Sequence, residues 1–321
     1  MKRFVNIGFE AAQAAACRRT GARITLSRLL LSLSLLAASG ASPVSGAQEK
    51  TALASVPEFF PLDNGVGRGA WTPTQQAACV QELGFDGIGY NYTRPEDLAA
   101  WLKALSPRGL ELYSLYFGIT LDRQDPYPAG LREALPMLKG SGAILWATVA
   151  RPQGGGEWDA VAAQRIDALG ELAAQYGLRV AIYPHLGLYV ATAEDALRVL
   201  ARVTRTNVGV TVNLCHELAS GNGPRLKEVI AKAAPRLMLA TICGATDKKD
   251  DAGGWSNYIQ TLDRGDYDVF GMLVALQRAG YWGPIGLQCY SIKGDPKDNL
   301  RKSMGAWRGY MTRLGAQKPT K

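Results

Sequence analysis

The chain has 321 residues, 47% of them hydrophobic and 20% charged, with 36 Lys/Arg against 28 Asp/Glu and a formal charge of +8. Residues 1–47 hold six of the basic residues and one acidic residue, so the remainder carries only +3. A mild excess spread along the chain excludes a basic stripe for nucleic acid, and the remaining length suits one large α/β domain. Residues 1–47 read as a leader. Arg18, Arg19, Arg23 and Arg28 precede or open the apolar stretch Ile24 to Ala38, and Ser45-Gly46-Ala47 follows with small residues. This is the order of a cleavable export signal, predicting a periplasmic or secreted protein. The stretch is shorter than the ~20 residues of a spanning helix, so no stable membrane insertion is expected after cleavage. Of the five cysteines, Cys17 lies in the leader; Cys215, Cys243 and Cys289 sit in apolar runs and read as buried filler rather than disulfide partners. No CxxC pair suggests a structural zinc site.

After Ala54, short apolar runs alternate with longer amphipathic ones. The first strand is predicted over Phe59–Asp63 and the first helix over Thr74–Leu83. Phe85–Tyr90 is the second strand; Pro95–Leu105 is a helix opened by proline, with Ala99, Leu102 and Leu105 on one face. Leu110–Phe117 is strand three, Gly130–Leu138 a short helix and Ala143–Val149 strand four. Trp158–Tyr176 is read as the longest helix, closed by Gly177. Val180–Tyr183 is strand five. Thr192 caps a helix running to Arg202, with Asp195 reaching back. Val208–Asn213 is strand six, Pro224–Ala233 a helix, Leu237–Ile242 strand seven, Tyr267–Ala279 a helix, Ile285–Cys289 strand eight and Asp298–Arg313 the last helix. Eight strands alternating with eight helices predict a single (β/α)8 barrel over residues 55–314, preceded by the leader and followed by a flexible tail at 315–321. The rival, a doubly wound open sheet, lacks its glycine fingerprint: Gly65 to Gly69 is a loose loop with no helix directly behind it.

In such a barrel the chemistry gathers at the carboxyl ends of the strands. The only two histidines, His185 and His216, both fall there, in Tyr183-Pro184-His185 and Asn213-Leu214-Cys215-His216. Imidazole is the side chain that titrates near neutrality, so both are candidates for proton transfer; as neutral rings they are equally candidate metal ligands. The other predicted strand ends carry Asp63, Asn64, Tyr90, Asn91, Phe117, Arg151, Tyr183, Asn213, Thr241, Cys243, Gln288 and Tyr290. That lining is polar, aromatic and mostly uncharged, which suits a polyhydroxylated small molecule: amides bond hydroxyls and aromatic faces stack on sugar C–H surfaces. Tyr183, Asn213, Gln288, Tyr290, Asp63 and Thr241 are the candidate substrate contacts. Glu157, Glu217, Asp247 and Asp295 read as solvated loop charges ahead of proton-abstracting groups, Lys248-Lys249-Asp250-Asp251 as an exposed mobile loop, and Trp255, Tyr258 and Trp282 as packing residues ahead of rim aromatics.

The segments Tyr183–His185, Asn207–His216, Leu262–Asp268 and Gly280–Tyr290 resemble the xylose-isomerase-like barrel superfamily, which includes sugar isomerases and epimerases and an AP endonuclease branch. The likeness runs from strand one to the last helix, is clearest from Val180 onward, and is greatest to exported members of the sugar phosphate isomerase/epimerase-like kind. It implies one divalent metal (Mn, Mg or Zn) at the mouth, held in the epimerases by a Glu, an Asp, a His and a Glu after strands five to eight. Here those positions are Tyr183, Asn213, Thr241 or a neighbour, and Gln288, so every one departs. The remaining candidate ligands are His185, Asn213, His216 and Gln288. Two functions are therefore weighed: an exported isomerase or epimerase, or related lyase, that removes a proton beside a carbonyl of a carbohydrate; and a carbohydrate-binding protein on a degenerate barrel. The nuclease branch needs more histidines than this chain has.

Overall fold

The computed structural model describes residues 56–152, 155–247 and 254–315. The leader, the Lys248–Asp251 segment and the tail beyond Gly315 lie outside the described residues. Eight strands alternate with helices in chain order: β1 (Phe59–Pro61), α1 (Pro73–Leu83), β2 (Gly87–Asn91), α2 (Pro95–Leu105), β3 (Glu111–Thr120), α3 (Leu131–Ala134), β4 (Ile144–Ala150), α4 (Asp159–Ala174), β5 (Arg179–Ile182) and α5 (Ala193–Leu200). They continue as β6 (Val208–Asn213), α6 (Leu214–Ala219), α7 (Leu226–Ala233), β7 (Leu237–Ile242), α8 (Trp255–Tyr258), α9 (Val269–Arg278), β8 (Ile285–Leu287) and α10 (Pro296–Arg313).

All seven laddered pairings are parallel, in the order β1-β8-β7-β6-β5-β4-β3-β2. The two outer strands meet at one parallel bridge, Leu62 to Gly89, backed by Asp86 N–H donating to the Phe59 carbonyl at 3.0 Å. The sheet is thus a nearly closed (β/α)8 barrel, and the open-sheet rival is excluded. Strands β4 to β6 are buried along almost their whole length, as a sheet covered on both faces requires.

Local chemistry explains most element ends. Thr72 caps α1 and Thr192 caps α5, each in a reciprocal box, with Gln75 and Asp195 respectively bonding back. Several expectations are corrected. The longest helix is α10, which starts two residues earlier than predicted because Asp295 caps it and Pro296 is its first residue. Helix α4 ends at Ala174, and Gly177 turns the chain beyond it. Helix α2 buries Leu98, Trp101, Ala104 and Leu105, so the inward face is rotated from the predicted one. Strand β3 runs on to Thr120. The largest departure is α6: the chain enters a helix at once after β6, where a loop was expected, and α6 carries both His216 and Glu217.

Cys79, Cys215, Cys243 and Cys289 are all buried free thiols. Among the described residues no helix is long and apolar enough to cross a membrane.

Candidate active site

Three aromatic side chains from consecutive strands form the floor of the mouth. Tyr183 follows β5 and stacks on Trp146 of β4, with ring centres 3.9 Å apart and planes 15° from parallel; Tyr116 of β3 meets both edge-on. Trp146 Nε1 donates to Thr211 Oγ1 of β6 at 2.9 Å, passing over β5, which fixes this layer inside the barrel. From the far side, Gln288 beyond β8 donates through Nε2 to Tyr183 Oη at 3.2 Å. A bond joining β8 to β5 spans the barrel, so the Tyr183 hydroxyl stands near its axis.

His216 meets the same hydroxyl, with Nε2 3.0 Å from Tyr183 Oη. Its other nitrogen, Nδ1, accepts the Leu186 backbone N–H at 3.2 Å. An N–H can only donate, so Nδ1 bears the lone pair and the neutral ring carries its hydrogen on Nε2. Tyr183 therefore accepts from His216. Burial first, then the facing His185, pulls the His216 imidazole down to about 2, so it stays neutral.

His185 has the opposite tautomer. Its Nδ1 donates to the Leu186 carbonyl at 3.0 Å, leaving Nε2 with a lone pair and no partner. The two imidazole centres are 4.1 Å apart. Burial lowers the His185 pKa as well. Trp255 closes the group, edge-on to His216 at 5.0 Å. It is 39% exposed, so of its two readings the rim aromatic holds and the favoured packing role does not.

Around this cluster lie three buried polar atoms without partners: Asn213 Nδ2, Thr241 Oγ1 and Gln288 Oε1, at the ends of β6, β7 and β8. Their residues are at most 5% exposed. Buried polar groups are normally hydrogen-bonded, so one donor, one amide carbonyl and one hydroxyl orphaned on three successive strands mark a place for something polar.

The remaining predicted contacts divide. Tyr290 stands on the rim, 55% exposed. Asp63 is buried after β1 but engaged: Arg68 pairs with it, with Nε 3.1 Å from Oδ2, and the Asn91 N–H bonds Oδ1 at 3.2 Å. Burial raises its pKa and Arg68 opposes that rise. Tyr90 turns away, bonding Thr93 at 2.7 Å and packing beside Trp101 of α2. Cys243 is buried and donates to the Tyr258 carbonyl. Glu217, expected as a solvated charge, is fully buried; it accepts the Ala193 N–H that opens α5 at 2.7 Å, and the Asn222 amide at 2.6 Å. Sequence reasoning missed the supporting parts: Trp146, Tyr116 and the Leu186 amide. Trp and Tyr in a strand read as core filler, and a backbone N–H leaves no residue-type signal.

A family model described as xylose isomerase-like TIM barrel matches residues 77–310, more than half of the chain. This chain belongs to that family. Its fold is similar to that of 3-keto-D-glucoside 4-epimerase YcjR from E. coli (TM-score 0.64, 15% identity, 79% of this chain and 99% of that one). It is similar also to D-allulose 3-epimerase from Methylomonas sp., solved with D-allulose (TM-score 0.63, 18% identity, 81% and 99%). A third likeness is to the IolI protein, solved with a binding zinc atom (TM-score 0.66, 14% identity, 80% and 99%). At these identities the likeness is one of fold. No curated protein matches the chain.

The divalent metal that the family implies does not fit the donors present. Both nitrogens of His216 are engaged, and Asn213 Oδ1 is taken by the His216 N–H at 3.3 Å and the Cys215 thiol at 3.0 Å. Of the four expected ligands, only His185 Nε2 and Gln288 Oε1 offer a free lone pair. Two neutral ligands fall short of the three or four, usually charged, that hold such ions. Among the described residues no cluster of three His, Cys, Asp or Glu assembles elsewhere.

Proposed function

We propose that this protein is an exported isomerase- or epimerase-like enzyme that acts on a carbohydrate or keto-sugar derivative by removing a proton beside its carbonyl. The observation that carries the reading is the free Nε2 of His185 beside three buried, unpartnered polar atoms at the barrel mouth. In this reading a sugar's hydroxyls bond Asn213 Nδ2, Thr241 Oγ1 and Gln288 Oε1. Its apolar face lies against Trp255.

His185 Nε2 takes the proton from carbon, the C–H pair becomes the new C=C bond, and the carbonyl π pair moves onto oxygen. That oxygen needs a donor. Tyr183 accepts from both His216 Nε2–H and Gln288 Nε2–H, so its own hydrogen is left for the substrate. Burial keeps the phenol well above its ordinary pKa, so it is a neutral donor at pH 7. Return of that proton to the former carbonyl carbon, with the hydroxyl proton of the deprotonated carbon passing to the former carbonyl oxygen, completes isomerisation. A proton delivered from water to the opposite face of the same carbon completes epimerisation, and His185 then gives up its own to solvent. The export part of the reading rests on residues 1–47 alone, and the N-terminal sequence of protein recovered from outside the cytoplasm tests it.

The test of the chemistry is proton exchange with deuterated solvent across a panel of keto- and aldo-sugars, read by NMR. At least one sugar exchanges, and His185→Ala slows that exchange by 10²-fold or more, the usual contribution of a positioned base. Sugar binding with no exchange would leave a carbohydrate-binding protein. Exchange untouched by His185→Ala and His216→Ala together removes the assignment.

A further inference from the structure

We propose that a second pocket, opening beside the mouth, binds an anionic group, so that the substrate is a sugar derivative bearing a carboxylate or phosphate. The word substrate rests on the reading above; the anion site does not. The cavity measures about 340 Å³, at the small end of ligand sites, and its lining includes Trp255, Thr261, Arg264, Tyr290, Ser291 and Lys293. It adjoins the site across Trp255, which lines the cavity and whose ring also meets His216.

Two features point to an anion, and a third marks the loop as held in shape. Arg264 and Lys293 come from different loops, one following α8 and one following β8. Neither forms an ion pair with a described residue, and no carboxylate belongs to the lining. Two unpaired cations on one cavity leave a positive field that an anion would neutralise, and the planar guanidinium matches carboxylate or phosphate oxygens two at a time. Thr261 is 3% exposed, and its hydroxyl has no hydrogen-bond partner. Ser291, at φ 59°, is the sole non-glycine with a left-handed backbone among the described residues. Strain of that kind is retained where surrounding structure holds a loop in a working shape. Trp255 and Tyr290 add the aromatic faces on which a sugar ring stacks. A sugar reaching from His185 past Trp255 would thus present its charged end to Arg264 and Lys293.

The test compares D-glucuronate, D-glucose 6-phosphate, inorganic phosphate and D-glucose, titrated into the full chain and followed by tryptophan fluorescence. The comparison protein carries Arg264→Gln and Lys293→Gln, two exposed positions, with thermal melting as a control for folding. Either charged sugar binds at least tenfold more tightly than D-glucose, and the double variant removes that advantage while leaving D-glucose binding as it was. Phosphate competes with the charged sugar. Tighter binding of the 6-phosphate identifies a phosphorylated substrate; tighter binding of glucuronate identifies a sugar acid. Equal affinity for charged and uncharged sugars, or a double variant that binds anions as well as the parent, overturns the proposal. Failure of every sugar to exchange protons, with anion binding intact, would sink the enzymatic reading and leave this pocket standing.

Discussion

His216 has no nitrogen to spare, and that decides how the two histidines divide their work. Its Nδ1 and Nε2 are both bonded and its ring is held neutral by burial, so it orients Tyr183, while His185 keeps an open lone pair. The sign of the linkage is definite. An unfolded histidine takes up a proton below about pH 6.5, whereas folded His216 does so only near pH 2. Between those values the unfolded state binds the extra proton, so stability is full above pH 6.5 and is lost as pH falls. We expect His216→Gln, which cannot titrate, to escape this loss. Urea midpoints at pH 7, 5.5 and 4.5 should show the parent losing about 1.4 kcal/mol more than the variant for each unit below 6.5. Parallel curves would mean that the ring is not buried neutral. The same bonding decides the metal prediction. Elemental analysis should find less than one equivalent of divalent metal, and prolonged dialysis against EDTA should change the exchange rate by less than twofold; a tenfold loss restored by Mn, Mg or Zn would contradict the donor set described here.

Helix α6 places His216, and Asn213 starts α6. The Asn213 carbonyl oxygen accepts the His216 N–H at 3.3 Å, the bond that satisfies an otherwise open amide in the first turn. Asn213→Ala should cost about 1 kcal/mol by thermal or chemical unfolding, and Asn213→Ser, which caps as well, should recover most of it. Equal losses would show that the cap is not what Asn213 supplies. This helix also marks where sequence reading stops. Strand and helix alternation was legible because runs such as Val208–Val212 and Trp158–Tyr176 are long enough to show their period. Six residues make under two turns, too few for periodicity to separate helix from loop. In α2 the period was legible but its phase was not: Leu98 and Trp101 are buried, but Ala99 and Leu102 fit a 3.6 period equally well on their own. At the site, the strand-end positions of His185, His216, Asn213 and Gln288 were legible from spacing. The bonds that assign them roles were not, since these depend on the Leu186 amide and on Tyr183, Trp146 and Gln288 meeting from separate strands.

The barrel as a whole closes at its weakest seam, between β1 and β2. Elsewhere each strand is laddered to both neighbours; here one bridge and the Asp86 to Phe59 bond join the ends, with Asp86 also accepting the Phe59 N–H at 2.9 Å. Glycine makes the approach feasible. A methyl group on Gly89 would stand 2.6 Å from Leu62 Cδ2 across the seam and 2.6 Å from Ser114 Oγ of β3, while on the β3 side one on Gly87 would overlap the Glu111 carbonyl oxygen. Asp63 and Asn64 lead directly from this seam to the mouth, and Asn91 at the end of β2 holds Asp63, so the seam and the site share residues. Local opening follows where backbone bonds are fewest. Amide hydrogen exchange should therefore show Asp86 to Gly89 less protected than Val208 to Val212 of β6. Gly89→Ala should widen the difference and cost 1–3 kcal/mol, the usual range for overpacking. If the seam exchanges as slowly as β6, closure is carried by side-chain packing of Phe59, Phe60 and Trp307 across the gap rather than by its backbone bonds. In that case Gly89→Ala would act through Leu62 and Ser114 alone, with no selective loss of protection in β2.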